Sequence, residues 1–323
     1  MMINRRPILK DNPSENMTSH TLKTPVALII FNRPETTKQV LAKIAEAKPR
    51  KLLVVADAPR ANHEFEANRC REARAIIETI SWDCEVLTNY ADLNMGCRSR
   101  VASGLDWVFS EVDEAIILED DCLPHPSFFR FCEELLTRYR SDERIAQIGG
   151  VNFQFGRNRT PYSYYFSRYP HIWGWATWRR SWQYYDVAMR DWPRRRDEKW
   201  LHSLTNNKRE EQYWMGKFEA AYSGQINTWD YQWTYSCWLR NALTILPNTN
   251  LISNIGFGEG ATHTRRRSLY ASMPMGEMQI PIIHPSEIAR NESADHYTSR
   301  TMFNSSFSAK ARNLISSYLG RPL

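Results

Sequence analysis

Four short apolar runs, each followed by a segment of helical length and pattern, constrain this chain more than any other feature. They are "VALIIF" at 26–31, "KLLVVAD" at 51–57, "CEVLTN" at 84–89 and "EAIILEDD" at 114–121. Runs of this length without sustained polar alternation read as strands shielded on both faces. Between and after them lie "ETTKQVLAKIAEA", opened by Pro34 at the first turn, helical patterns over 66–79 and 100–110, and "PSFFRFCEELLTRYR" at 126–140. Strand and helix in alternation predict an α/β fold, a Rossmann-like αβα sandwich around a mostly parallel central sheet. Connections in such a sheet are right-handed, and ligands bind beyond the carboxyl ends of its strands.

That rule directs attention to the residues at the end of each run. Arg33 comes just after the first, Asp57 ends the second, and Glu119, Asp120 and Asp121 end the fourth. Three adjacent carboxylates repel one another and resist desolvation, so the triplet requires either a cation or full solvation. An oxygen-only set suits a hard divalent ion, Mn²⁺ or Mg²⁺, and not zinc or copper. In an extended segment Glu119 and Asp121 share one face while Asp120 turns away. A solvated acidic turn accounts for the triplet equally well when it is taken alone, but Asp57 and Arg33 at the same sheet edge weigh towards a site. An acid after a strand can accept hydrogen bonds from a base or ribose, and an arginine can fork onto phosphate.

Past Arg144 the pattern changes. "IAQIGGVN" at 145–152 is another strand, whereas 164–186, "YYFSRYPHIWGWATWRRSWQYYD", is too aromatic and irregular for a further strand and helix repeat. Most of the 12 tryptophans lie between 173 and 238. Rings this dense mainly fill core, although a few can stack on the C–H faces of a sugar and line an acceptor groove. A helix over 210–224 closes at Gly224, and a second over 227–242 has Asn227 or Asp230 at its cap. "LTILPN" is a late strand, and the glycine-rich stretch 250–264 carries His263, either a metal ligand, a phosphate contact or a loop histidine without special role. Residues 1–24 read as a disordered leader, 25–150 and 151–265 as the two halves of one domain, and 266–323 as an arm or tail.

No apolar run approaches the roughly 18 residues that span a bilayer, and the leader lacks the apolar core of a signal peptide. A soluble, cytoplasmic protein is expected. The 6 cysteines show no paired short spacing, so neither a zinc site nor a redox motif is suggested, and free thiols are the simpler account. The net charge of +6 is concentrated at Arg194 to Arg196 and Arg265 to Arg267. Such runs are usually a solvated face, but they also suit phosphate-bearing ligands or peripheral contact with the inner face of an anionic membrane. Nucleic acid is disfavoured, because the basic runs are short and the expected sheet edge is acidic.

"FNRP", "VVAD", "LNMGCRSRVASGLDWVF" and above all "AIILEDDCLPHPSFFRF" resemble the nucleotide-sugar-binding half of GT-A fold glycosyltransferases, and in particular the N-acetylglucosaminyltransferase I family. The resemblance continues more weakly through "GWATWRRSW" to "TWDYQW", and so spans roughly residues 25 to 265. It implies a metal-dependent, inverting transfer from a nucleotide diphosphate sugar, a UDP-sugar, to a glycan or lipid-linked acceptor. Carried over residue by residue, Asp121 resembles the metal-binding acid; His263 is a candidate second ligand from its place in the glycine-rich stretch and not from the resemblance. Glu119 and Asp120 resemble groups that hold sugar and ribose, Asp57 the acid that contacts uridine, and Arg33 a phosphate-side arginine; Arg98 is a further candidate donor-binding residue. Asp230 matches the general base. The chain departs from that family in carrying no N-terminal anchor, which points to a cytosolic enzyme building a surface or lipid-linked glycan. Two rivals are a sugar-nucleotide nucleotidyltransferase, which would place a glycine-rich loop where this chain has "FNRPETT", and a noncatalytic carbohydrate-binding protein, which has no use for the triplet.

Overall fold

A computed structural model describes residues 21–205, 207–257, 270 and 272–303. The first half alternates as the apolar runs predict: β1 (Val26–Ile30), α1 (Pro34–Ala47), β2 (Lys51–Ala56), α2 (Glu64–Ile77), β3 (Glu85–Tyr90), α3 (Gly96–Glu111), β4 (Glu114–Glu119), the short β5 (Cys122–Pro124) and α4 (Ser127–Arg138). The second half runs β6 (Ile145–Gly149), β7 (Tyr164–Ser167), β8 (Trp175–Trp178), α5 (Arg179–Trp182), α6 (Trp192–Asp197), α7 (Trp200–Leu204), α8 (Lys208–Tyr222), α9 (Asp230–Leu239), β9 (Leu243–Pro247), β10 (Ile252–Asn254) and α10 (Glu292–Thr298).

Eight strands form one sheet in the order β3-β2-β1-β4-β8-β6-β9-β7. β1, β2, β3 and β4 pair in parallel, β6 and β9 likewise, and only β8 and β7 run against their neighbours. Side chains of β1 leave the sheet alternately. Val26, Leu28 and Ile30 join the core under α1 and α4, while Ala27 and Ile29 join the core under α3 and the tryptophan-rich helices. The fold is therefore an αβα sandwich, and the apolar continuity of β1, β2 and β4 results from burial on both faces.

The segment 164–186 departs from expectation, since it supplies β7 and β8 to the central sheet. Each has four residues and every one is buried, so neither is long enough to show a period nor exposed enough to alternate. Trp175, Trp178, Trp192, Trp229, Trp233 and Trp238 are all core residues. Two further elements begin earlier than their apolar pattern, α2 at Glu64 and α3 at Gly96. The chain is already packed at Leu22, which is buried and donates its N–H to the Ala47 carbonyl at 3.1 Å. Past 266, Met273, Met278 and Ile282 enter the core, and buried Asp295 of α10 accepts from Ser167, Arg168 and Arg290. Among the described residues no helix is long and apolar enough to cross a membrane.

Candidate functional site

From β1 the chain steps outward to β2 and β3, then returns to the other side of β1 for β4. The carboxyl ends of β1 and β4 thus flank the point where strand order reverses, the usual crevice for a ligand in an open α/β sheet. Arg33 leaves the end of β1, and Glu119 to Asp121 leave the end of β4. The Arg33 guanidinium lies 2.5 Å from Asp121 Oδ2 and 3.4 Å from Asp120 Oδ1. The turn that follows β4 leaves Glu119 and Asp121 on the wall of a cavity of about 640 Å³ and buries Asp120 under the sheet edge, where its Oδ2 accepts the Phe31 N–H at 3.1 Å.

A small second sheet fixes the acidic turn. β5 pairs antiparallel with β10, setting Asn254 opposite Cys122. The Ile255 N–H then donates to the Asp121 carbonyl at 2.8 Å, and Asn254 Nδ2 reaches Asp121 Oδ1 at 3.3 Å. Gly256 passes so close that a Cβ there would lie 2.1 Å from Asp121 Oδ2.

The other wall of the cavity comes from α8, α9 and the turn between them. Asp230 faces it, with Trp229, Tyr231, Asn227 and Lys217. Asp230 is the first helical residue of α9 and Trp229 the cap, so the carboxylate does not serve as a side-chain cap. Its Oδ1 accepts the Thr228 hydroxyl, and its place in the first turn sets it against the positive end of the helix dipole. Trp173 and Phe257 add aromatic surface.

Asp57 and Arg98 hold this frame without lining the cavity. Asp57 Oδ1 accepts N–H groups from Ala58 and Met95, and Oδ2 accepts from Gly96 and Asn94 Nδ2, at 2.9 to 3.1 Å. Asp57 thereby satisfies the exposed amides at the start of α3, which explains why that helix begins at Gly96, whose φ is +74°. Arg98 donates to the carbonyls of Ala221 and Val187, and its N–H to Asn227 Oδ1, bracing α3 against the α8–α9 turn. Of the basic runs, Arg194 to Arg196 are answered by Asp191, Asp197, Glu198 and Glu219. They form a surface ion-pair network and not an open anion site. His263 and Arg265 to Arg267 lie outside the described residues.

Burial, and then the charges of Asp121, Asp120 and Asp230, push the Glu119 carboxyl up to about 8 against the pull of Arg33. Burial and Asp121 push Asp120 up to about 7, opposed by Arg33 and the Phe31 N–H. Glu119 Oε1 is shut from solvent and has no hydrogen-bond partner. An orphaned oxygen beside a second cavity-facing carboxylate fits a hard divalent cation. Among the described residues no group of three acidic, histidine or cysteine side chains closes around one point, so the remaining positions of such an ion would fall to ligand oxygens and water.

These carboxyls set a pH dependence of stability. An unfolded glutamate ionises near 4.5, the folded Glu119 only near 8, so the folded state binds more protons across that interval and stability falls as pH rises through it. Buried His171, lowered to about 3, works the other way but only below about 6.5. The melting temperature is therefore expected to decline from pH 6.5 to 8.5, with a shallower slope in Glu119→Gln. Equal slopes in the two proteins would refute the assignment.

No family model matches the sequence, and no curated protein matches it. Among solved structures the chain is similar to a UDP-glucose pyrophosphorylase complexed with UDP-glucose, at 10% identity and a TM-score of 0.37, over 70% of this chain and 90% of that one. A likeness this slight carries no residue across.

The cavity therefore gathers Arg33, Glu119, Asp121 and Asp230 from distant parts of the chain. Thr228, Asn254, Gly256 and Lys217 also belong to it, and sequence reasoning misses them. Thr228 has a signal, a hydroxyl two residues before the acid. Asn254 and Gly256 become legible only through the β5–β10 pairing.

Proposed function

We propose that the chain is a glycosyltransferase that moves a sugar from a nucleotide diphosphate donor, a UDP-sugar, to a hydroxyl of a glycan or lipid-linked acceptor, with inversion. The observation that carries this reading is one cavity with Arg33, Glu119 and Asp121 at its strand-end wall and Asp230 on its helical wall. A transfer of this kind needs charge compensation at the leaving diphosphate and a base on the opposite side of the anomeric carbon.

When bound, a divalent cation supplies positive charge to the diphosphate oxygens, and Asp121 is the side chain that would hold it. Arg33, already fixed against Asp121, contributes a permanent charge to the same oxygens. Glu119, Asp120 and Asp57 belong to the donor side, Asp57 by shaping the 94–96 loop. Asp230 takes the proton of the acceptor hydroxyl as the acceptor's oxygen bonds to the anomeric carbon and the bond from that carbon to the diphosphate breaks. The Thr228 hydroxyl keeps that carboxylate oriented. Trp173 and Phe257 offer faces for a sugar ring.

Calorimetric titration with nucleoside diphosphates, with and without Mn²⁺, tests the donor site. Mn²⁺-dependent binding of UDP is expected, and the absence of binding by every nucleotide would refute the reading. Release of pyrophosphate from UTP and a sugar 1-phosphate would instead favour a nucleotidyltransferase. Because an alanine Cβ at 256 would strike Asp121, Gly256→Ala should weaken Mn²⁺-dependent UDP binding by on the order of 10- to 100-fold, the range for disturbing a metal ligand's support. Unchanged affinity in that variant would remove Asp121 from the donor site.

A further inference from the structure

Lys217 stands in the same cavity on the α8 wall. Its ammonium lies over two rings, 5.6 Å from the centroid of Tyr213 and 5.3 Å from that of Tyr231. Tyr213 precedes it by one helical turn on the same face of α8, and Tyr231 is the next residue after Asp230. Trp214, Phe218 and Ala221 are buried and seat the helix, so the ammonium is delivered to one place. Arg33, the other basic group on the cavity wall among the described residues, is bound to Asp120 and Asp121. Among the described residues, Lys217 meets ring faces and no carboxylate. Two aromatic faces steady a cation but, among the described residues, give it no salt-bridge partner in a cavity that would lose water on filling.

We propose that Lys217 selects an anionic acceptor, by pairing with a carboxylate or phosphate carried close to the attacking hydroxyl. The inference rests on the transferase reading, in which Asp230 marks the acceptor side. Lys217 shares that side through Tyr231, whereas the diphosphate belongs with Arg33 and Asp121 at the strand ends. The common chemistry is a tetrahedral or planar oxyanion on a sugar or lipid-linked sugar, a few ångströms from the nucleophilic oxygen.

The test uses the full chain with UDP and Mn²⁺ present, titrated with methyl glucoside, methyl glucuronide and methyl glucoside 6-phosphate. At least one anionic probe is expected to bind on the order of ten-fold tighter than the neutral one, as for a hydrogen bond to a charged group, and which one does so separates carboxylate from phosphate. Lys217→Met should erase the preference and Lys217→Arg should retain most of it, with UDP affinity unchanged in both. Equal binding of all three probes, including none at all, overturns the proposal, as does a preference that survives in Lys217→Met or a loss of UDP affinity there. An anion preference that depends on Lys217 in a protein that binds no nucleotide would overturn the transferase reading instead.

Discussion

Asp230→Asn is expected to lower the rate of sugar transfer by on the order of 10²- to 10⁴-fold, the contribution of a positioned general base, while leaving donor affinity as it was. Asparagine has nearly the shape of aspartate and keeps an oxygen to accept the Thr228 hydroxyl. The α9 cap is kept, because Trp229 and not Asp230 occupies it, and only the carboxylate's small stabilisation by the helix dipole is lost. What disappears is the basicity. The groups proposed to hold the donor, Arg33, Glu119 and Asp121, stand on other elements, so the loss should fall on kcat and not on UDP binding. Thr228→Val, which removes one hydrogen bond that orients the carboxylate but leaves it basic, should cost less, roughly ten-fold, since it weakens positioning alone. A variant Asp230→Asn with kcat within a few-fold of wild type would move the base elsewhere in the cavity. Loss of donor binding together with rate would mean that Asp230 is part of the donor site.

The elements legible in the sequence are those whose environment repeats. β1, β2 and β4 are buried on both faces, and α1 and α4 carry one apolar stripe each, so a local pattern suffices to find them. Their ends delimit the site, which is why Arg33 and the 119–121 triplet can be named from strand ends alone. β7 and β8 escape because four fully buried residues carry no period. Asp57 has the look of a ligand group because it comes after a strand, yet its carboxylate is engaged by three amides and Asn94. An acid that completes a neighbouring helix start and an acid that meets a ligand have the same sequence signature. Arg98 is similar, since nothing local distinguishes a guanidinium that binds carbonyls from one that waits for phosphate. Lys217 is invisible for another reason: its meaning lies in Tyr231, contributed by the next helix, and no spacing within α8 records that neighbour.

Arg33 and Asp121 should respond in opposite ways to mutation if a cation belongs between the strand ends and the diphosphate. Their side chains are only 18% and 15% exposed, and they pair at 2.5 Å. Asp121→Ala removes that pair but also removes a negative charge that, after burial itself, helps hold the Glu119 and Asp120 carboxyls high. The two effects oppose each other and Arg33 keeps Asp120 at 3.4 Å, so the melting temperature should change by only a few degrees, about what 1 kcal/mol produces in a chain of this size. Mn²⁺-dependent UDP affinity, by contrast, should fall by on the order of 100-fold or more, because a direct ligand is gone and even a ligand's support is worth 10- to 100-fold. Arg33→Ala takes the guanidinium away from Asp121 and Asp120, a change of the kind that costs about 3 to 5 kcal/mol when a buried pair loses one partner. There Mn²⁺ should raise the melting temperature, since it replaces the missing charge, whereas in Asp121→Ala it should do nothing. If Mn²⁺ leaves the Arg33→Ala protein unchanged, or if Asp121→Ala binds UDP with the metal dependence of wild type, the triplet holds no cation. Arg33 is then its charge partner, and the diphosphate would have to be met by arginine alone.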